Sequence, residues 1–156
     1  MPKTQNKSDD VTTLLSELAK EDYCYVTTTG RVTGKPHEIE IWFGTRGDTI
    51  YLLSGGGEKS DWVKNMRVQP KVEVRIAKRQ FTGQARFELE AEEEKQVREM
   101  LAAKYQGWQK GRRLSEWARS ALPVAIELRA QSLRGKYKGK GLMEALTAEK
   151  KRERKL

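Results

Sequence analysis

Two chemically versatile residues are almost missing from this chain: it has one cysteine, Cys24, and one histidine, His37, in 156 residues. That excludes a zinc site built from Cys and His, which needs several such ligands. It also excludes an internal disulfide, and a reducing cytoplasm is the expected compartment. A nucleophile triad would have to use His37, and nothing near it in sequence supplies the other members. No apolar run approaches the roughly 20 residues that span a bilayer. The first ten residues, MPKTQNKSDD, lack the apolar segment of a signal peptide. Apolar residues are scarce at 37%, and the mean hydropathy is −0.81. The length suits one domain with a real core, so part of the chain is expected to be solvated.

Positive charge is abundant but unevenly placed. The formal net charge is +9. Residues 129–156 hold ten Lys/Arg against three Glu, so most of the excess belongs to the C-terminus. The basic balance therefore says little about the rest of the chain.

Hydrophobic spacing divides the chain as follows. Residues 1–9 read as a flexible N-terminus and 131–156 as a flexible basic tail. The domain between them spans 10–130. Val11, Leu14, Leu15 and Leu18 share one helical face. Tyr23–Thr29, Glu38–Phe43 and Thr49–Leu53 read as strands at close spacing, separated by the turns Gly30–Pro36 and Gly44–Asp48. A two-turn helix ends near Gln69-Pro70, because proline disfavours a helical residue before it. Strands follow at Val72–Ile76 and Gln80–Leu89. A helix covers Glu90–Tyr105, with Val97, Met100, Leu101 and Tyr105 inward. A short helix at Leu114–Ala121 leads to a last strand, Pro123–Ala130. The expected fold is mainly β with added helices: a six-stranded antiparallel barrel.

The most informative stretch is SGGGEKSDWVKNM, residues 54–66. Three glycines follow an apolar strand, and a capping-type serine, Ser60, opens a helix. Backbone N–H groups approach a ligand closely at glycine, and a helix N-terminus favours an anion. One reading is a phosphate cradle with Lys59 nearby and Trp62 and Asn65 on one helix face. The other is a plain strand-to-helix connection over a buried Trp62. Gly34-Lys-Pro-His37 is either a second set of cationic contacts, through Lys35 and His37, or a solvated hairpin. Trp42, Tyr105, Trp108 and Trp117 suit either a planar ligand or packing.

YLLSGGGEKSDWVKNMRVQPKVEVRI, with TTTGRVTGKPHEIEIWFGTRGDTIY before it, resembles the deazaflavin-dependent nitroreductase and quinone reductase family. The likeness continues more loosely through FTGQARF, LAAKYQGW and ALPVAIEL, and covers about residues 20–130. These proteins are flavin/deazaflavin oxidoreductases with the split β-barrel of pyridoxamine-phosphate oxidases. The resemblance implies an FMN-binding-type split barrel, often a homodimer, acting as an oxidoreductase. It implies coenzyme F-420, an 8-hydroxy-5-deazaflavin, or else FMN, since GKPH before a strand also fits the FMN-binding relatives. A reduced deazaflavin would pass hydride to a small electron-poor acceptor: a quinone, nitro compound or enone. The phosphate side would fall to Ser54, Gly55, Gly56, Gly57 and Lys59, supported by Trp62 and Asn65. Lys35 and His37 would add contacts, Ile41 and Trp42 would lie near the ring, and Tyr105 would face the acceptor as a candidate proton donor. Two alternatives stand beside this: a carrier of the cofactor without turnover, and a binder of anionic surfaces or nucleic acid through the basic tail.

Overall fold

The computed structural model describes residues 7–130. The expectations for the basic tail, 131–156, lie outside the described residues. Helix α1 (Lys7–Leu18) is followed by β1 (Cys24–Thr29), β2 (Pro36–Ile41), β3 (Gly44–Arg46) and β4 (Thr49–Ser54). Helix α2 (Asp61–Val68), strands β5 (Lys71–Ile76) and β6 (Arg79–Arg86), helices α3 (Ala91–Gln106) and α4 (Glu116–Ser120), and β7 (Leu122–Ala130) complete the order.

The strands form one seven-stranded sheet in the order β2-β1-β5-β6-β7-β4-β3, antiparallel throughout. The two edge strands, β2 and β3, are joined by Trp42 and Phe43 alone. With consecutive Cα atoms about 3.8 Å apart, that link holds the two edges within roughly 11 Å of each other. The sheet must therefore curl into a half-barrel with a seam at Trp42-Phe43.

The seventh strand is the one departure in strand number. Gly44–Asp48 reads as a turn in sequence. In the structure Gly44, Thr45 and Arg46 pair with Tyr51, Ile50 and Thr49, and only Gly47-Asp48 turns. Gly47 takes a left-handed φ of 61°, which lets two residues close the hairpin. Strand β2 begins at Pro36 and stops at Ile41, before Trp42. Helix α1 starts at Lys7, ahead of the expected Asp10.

Two hydrophobic clusters flank the sheet. Val11 and Leu15 of α1 fill the barrel interior with Val26, Phe43, Ile50, Leu52, Val74 and Phe81. On the outer side, Tyr51, Leu53 and Ala125 pack against Val97 and Leu101 of α3. Strand β4 lies between the two clusters and is buried along its whole length. This is why Ile50–Leu53 is a continuous apolar run rather than an alternating one. Among the described residues no helix is long and apolar enough to cross a membrane.

Candidate functional site

The β1–β2 hairpin is pinned to helix α2 by one buried amide. Asn65, 4% exposed, donates through Nδ2 to Thr28 Oγ1 at 3.0 Å. Its Oδ1 accepts from the Arg31 backbone N–H at 3.1 Å and from the Arg31 guanidinium at 2.8 Å. Arg31 also reaches the Asp61 carboxylate at 3.2 Å and the Asp61 carbonyl. The His37 imidazole lies against Gly30: a methyl group added there would sit 2.6 Å from His37 Nε2. Together these residues line a cavity of about 400 Å³ with Thr33, Ile39 and Trp62.

A second cavity, of about 470 Å³, has aromatic and apolar walls: Tyr23, Ile41, Trp42, Leu53 and Trp117, with Glu40 and Gln106. Trp42 stacks on Tyr105 with ring centroids 4.3 Å apart and planes within 5°. Trp117 meets Trp42 edge-on at 5.4 Å and 88°. Trp117 is held by the short helix α4, which is bonded at both ends. Ser115 accepts from the Ala118 N–H at 3.1 Å, and the Arg98 guanidinium donates to the carbonyls of Ala118 and Ala121.

Along the chain the glycine loop connects the two cavities, although none of residues 54–60 lines either. It leaves from Leu53, in the aromatic one, and delivers Asp61 and Trp62 to the other. Gly57 has a φ of 61°, a conformation glycine adopts without strain, and a Cβ on Gly55 would touch Trp117 at 3.6 Å. Ser60 stands at the α2 N-cap position, but its side chain caps nothing. Its hydroxyl instead meets that of Ser54 at 2.8 Å, and the Ser54 hydroxyl donates to the Gly57 carbonyl at 3.1 Å. These bonds use Ser54 to shape the loop, and leave the first N–H groups of α2 without a side-chain cap.

The resemblance implies that Ile41 and Trp42 lie near the ring, and both line the aromatic cavity. His37, Trp62 and Asn65 line the first cavity, while Lys35 and Lys59 are exposed and line neither. Tyr105 lies behind Trp42. Its hydroxyl accepts from the Phe43 N–H at 3.0 Å and has the carbonyls of Asp22 and Phe43 at 2.7 and 3.1 Å. Burial pushes this phenol up to about 12. Its one proton is committed to main chain, which argues against the expected donor role.

Two further residues, Arg31 and Lys104, come into view only with the structure. Arg31 carries no spacing signal. Lys104 does: it lies seven residues after Val97, on the apolar stripe of α3, where a lysine is out of place.

The curled antiparallel sheet, the seam and the paired cavities define a split barrel of the pyridoxamine-phosphate-oxidase type. Among solved structures, a pyridoxamine 5′-phosphate oxidase-type protein from Listeria innocua is similar at 20% identity and a TM-score of 0.54, covering 78% of this chain and 93% of that one. A structure described as an F420-H2 dependent reductase is similar at 23% identity and a TM-score of 0.54, covering 67% and 92%. A haem-binding protein from Mycobacterium smegmatis shares the fold too, at 13% identity and a TM-score of 0.55, covering 81% and 52%. The fold by itself is therefore silent on the cofactor. The sequence profile of the F420H(2)-dependent quinone reductase family matches residues 3–129, and the chain belongs to that family. It is a deazaflavin-dependent reductase that uses coenzyme F-420, which decides the choice that the GKPH turn left open.

Proposed function

We propose that the two cavities and the glycine loop between them form one continuous site, at which hydride passes from reduced coenzyme F-420 to a small electron-poor acceptor such as a quinone, nitro compound or enone. The observation that carries this reading is the division of the site. One end offers Arg31, His37 and threonine hydroxyls beside the carboxylates of Glu38 and Asp61, the latter paired with Arg31, and the other offers flat aromatic walls. That donor set fits a ligand with an anionic tail and a planar ring. The coenzyme, when bound, supplies the hydride chemistry.

The chain's own residues do the rest. Gly55, Gly56 and Gly57, with the uncapped start of α2, present backbone donors to the phosphate. The helix dipole adds to their pull. Ser54 fixes the loop's shape. Lys59, Lys35 and His37 bring positive or polar groups from either side, and Asn65 holds the Arg31 end of the hairpin in place. Trp62 packs beside them. Ile41 and Trp42 wall the ring end and exclude water, which strengthens electrostatic interactions there. No side chain acts as a nucleophile, and the proton comes from solvent.

The reading includes a cofactor-binding domain over residues 10–130, a homodimer and a cytoplasmic location. It is supported by the family match, by the exposed edge strand β2, and by the burial of the single thiol, Cys24. Light scattering on the purified chain tests the dimer.

Fluorescence titration with coenzyme F-420 and with FMN tests the site. F-420 should bind more tightly, and Lys59→Ala should weaken it by about tenfold, the effect of about 1.4 kcal/mol. Menadione should then oxidise the reduced coenzyme in the presence of the protein. Failure to bind either cofactor overturns the reading. Binding without menadione-dependent turnover would make the protein a carrier.

A further inference from the structure

Phe43 is fully buried at the seam, where the chain has left the β2 ladder and has not yet joined β3. Its backbone N–H and carbonyl have no strand to pair with, and an unpaired buried main-chain group is costly. Two consecutive residues of α3 supply the partners. The Tyr105 hydroxyl accepts from the Phe43 N–H at 3.0 Å, and Lys104 Nζ donates to the Phe43 carbonyl at 3.0 Å.

Lys104 is an unusual choice for this task. It is half-buried, its ammonium lies 3.9 Å from the centre of the Phe43 ring and 5.0 Å from that of Tyr105, and among the described residues no carboxylate pairs with it. Burying an ammonium without a counter-ion is unfavourable. What offsets it is the seam carbonyl and the two ring faces.

The two residues that this pair immobilises adjoin the aromatic cavity. Phe43 follows Trp42, a wall of that cavity, and Asp22, whose carbonyl takes the Tyr105 hydroxyl at 2.7 Å, precedes Tyr23, another wall. Trp42 is pressed on its other side by the Tyr105 ring itself.

We infer that Lys104 is a positioning residue: with Tyr105 it clamps the barrel seam and so fixes Trp42 and Tyr23 as walls of the ring-end cavity, where the acceptor meets the coenzyme. The inference rests on the proposed reductase site but has a readout independent of it. The stacked Trp42–Tyr105 pair should give a near-ultraviolet circular dichroism signal that needs no coenzyme.

The test compares Lys104→Met, which keeps the length but loses the donor and charge, with Lys104→Arg, which keeps both. Lys104→Met should diminish that signal and raise the KM for menadione about tenfold, with kcat within about twofold. Lys104→Arg should restore both. A folded Lys104→Met protein with a wild-type spectrum, or with an altered spectrum and unchanged KM, overturns the inference. If Lys104→Met fails to fold, Tyr105→Phe removes the other half of the clamp while keeping the ring, and the same two outcomes decide. If the wild-type chain turns over no acceptor at all, the reductase reading fails, and the spectral comparison still decides the clamp.

Discussion

Trp42 and Tyr105 lie face to face, 4.3 Å between ring centroids and 5° between planes, although 62 residues separate Phe43 from Tyr105 in the hydrogen bond beside them. The stack joins the barrel seam to the last turn of α3. It converts a two-residue link between edge strands into a rigid wall of the aromatic cavity. Trp42→Ala removes that wall and leaves Trp117 without its edge-on partner. The expected result is a folded protein whose affinity for coenzyme F-420 falls about tenfold, the effect of about 1.4 kcal/mol. Fluorescence titration of the variant checks it.

Asn65→Ala should be the most damaging single change in the hairpin region. It strands Thr28 Oγ1 and the Arg31 N–H, and frees the Arg31 side chain from the buried acceptor that orders it. Losing partners of buried groups costs about 1–3 kcal/mol each. Urea unfolding should show a lower midpoint with an unchanged slope. By contrast, Asp61→Ala, at the exposed end of the same arginine, should cost at most about 1 kcal/mol.

Gly57→Ala tests the loop. The left-handed φ of 61° penalises any side chain, by roughly 1–2 kcal/mol. If the loop cradles a phosphate, the loss in coenzyme affinity should exceed the loss in stability. Equal losses in both would reduce the loop to a connection.

Acid should unfold the protein partly through Glu93. The Arg86 guanidinium beside it, at 2.8 Å, and the Tyr51 hydroxyl, at 2.6 Å, hold its carboxyl down at about 2, against an ordinary 4.5. A carboxyl lowered on folding stabilises the native state above its unfolded value. That stability is lost as pH falls from about 4.5 toward 2. Glu93→Gln should therefore be less stable than wild type at pH 7, and the gap should close between those limits. Urea midpoints across the acid range would show it, and a constant gap would sink the idea.

Helices and strands whose burial follows their own period were legible in the sequence. The stripe of Val97, Met100, Leu101 and Tyr105 on α3, the alternation of Val72, Val74 and Ile76, and the proline stop after α2 all rest on local rules. So does the glycine loop, because glycine takes the left-handed position at Gly57 without strain. The family likeness then named the chemistry from these same segments.

Contacts between distant segments were not legible, because no local rule encodes them. Ser60 sits where a helix cap belongs, yet its hydroxyl turns to Ser54 across the loop. Gly44–Asp48 has turn composition, yet Gly44–Arg46 is drafted into the sheet by pairing with β4. Tyr105 reads as an inward-facing helix residue and a proton donor. Only the fold shows that its hydroxyl is spent on the seam backbone. The sequence by itself determined most of the elements, the glycine loop and the cofactor class. Tertiary structure decided which polar groups remain for a ligand, because a buried break in a ladder must find its hydrogen bonds elsewhere, and at Phe43 it takes them from Lys104 and Tyr105.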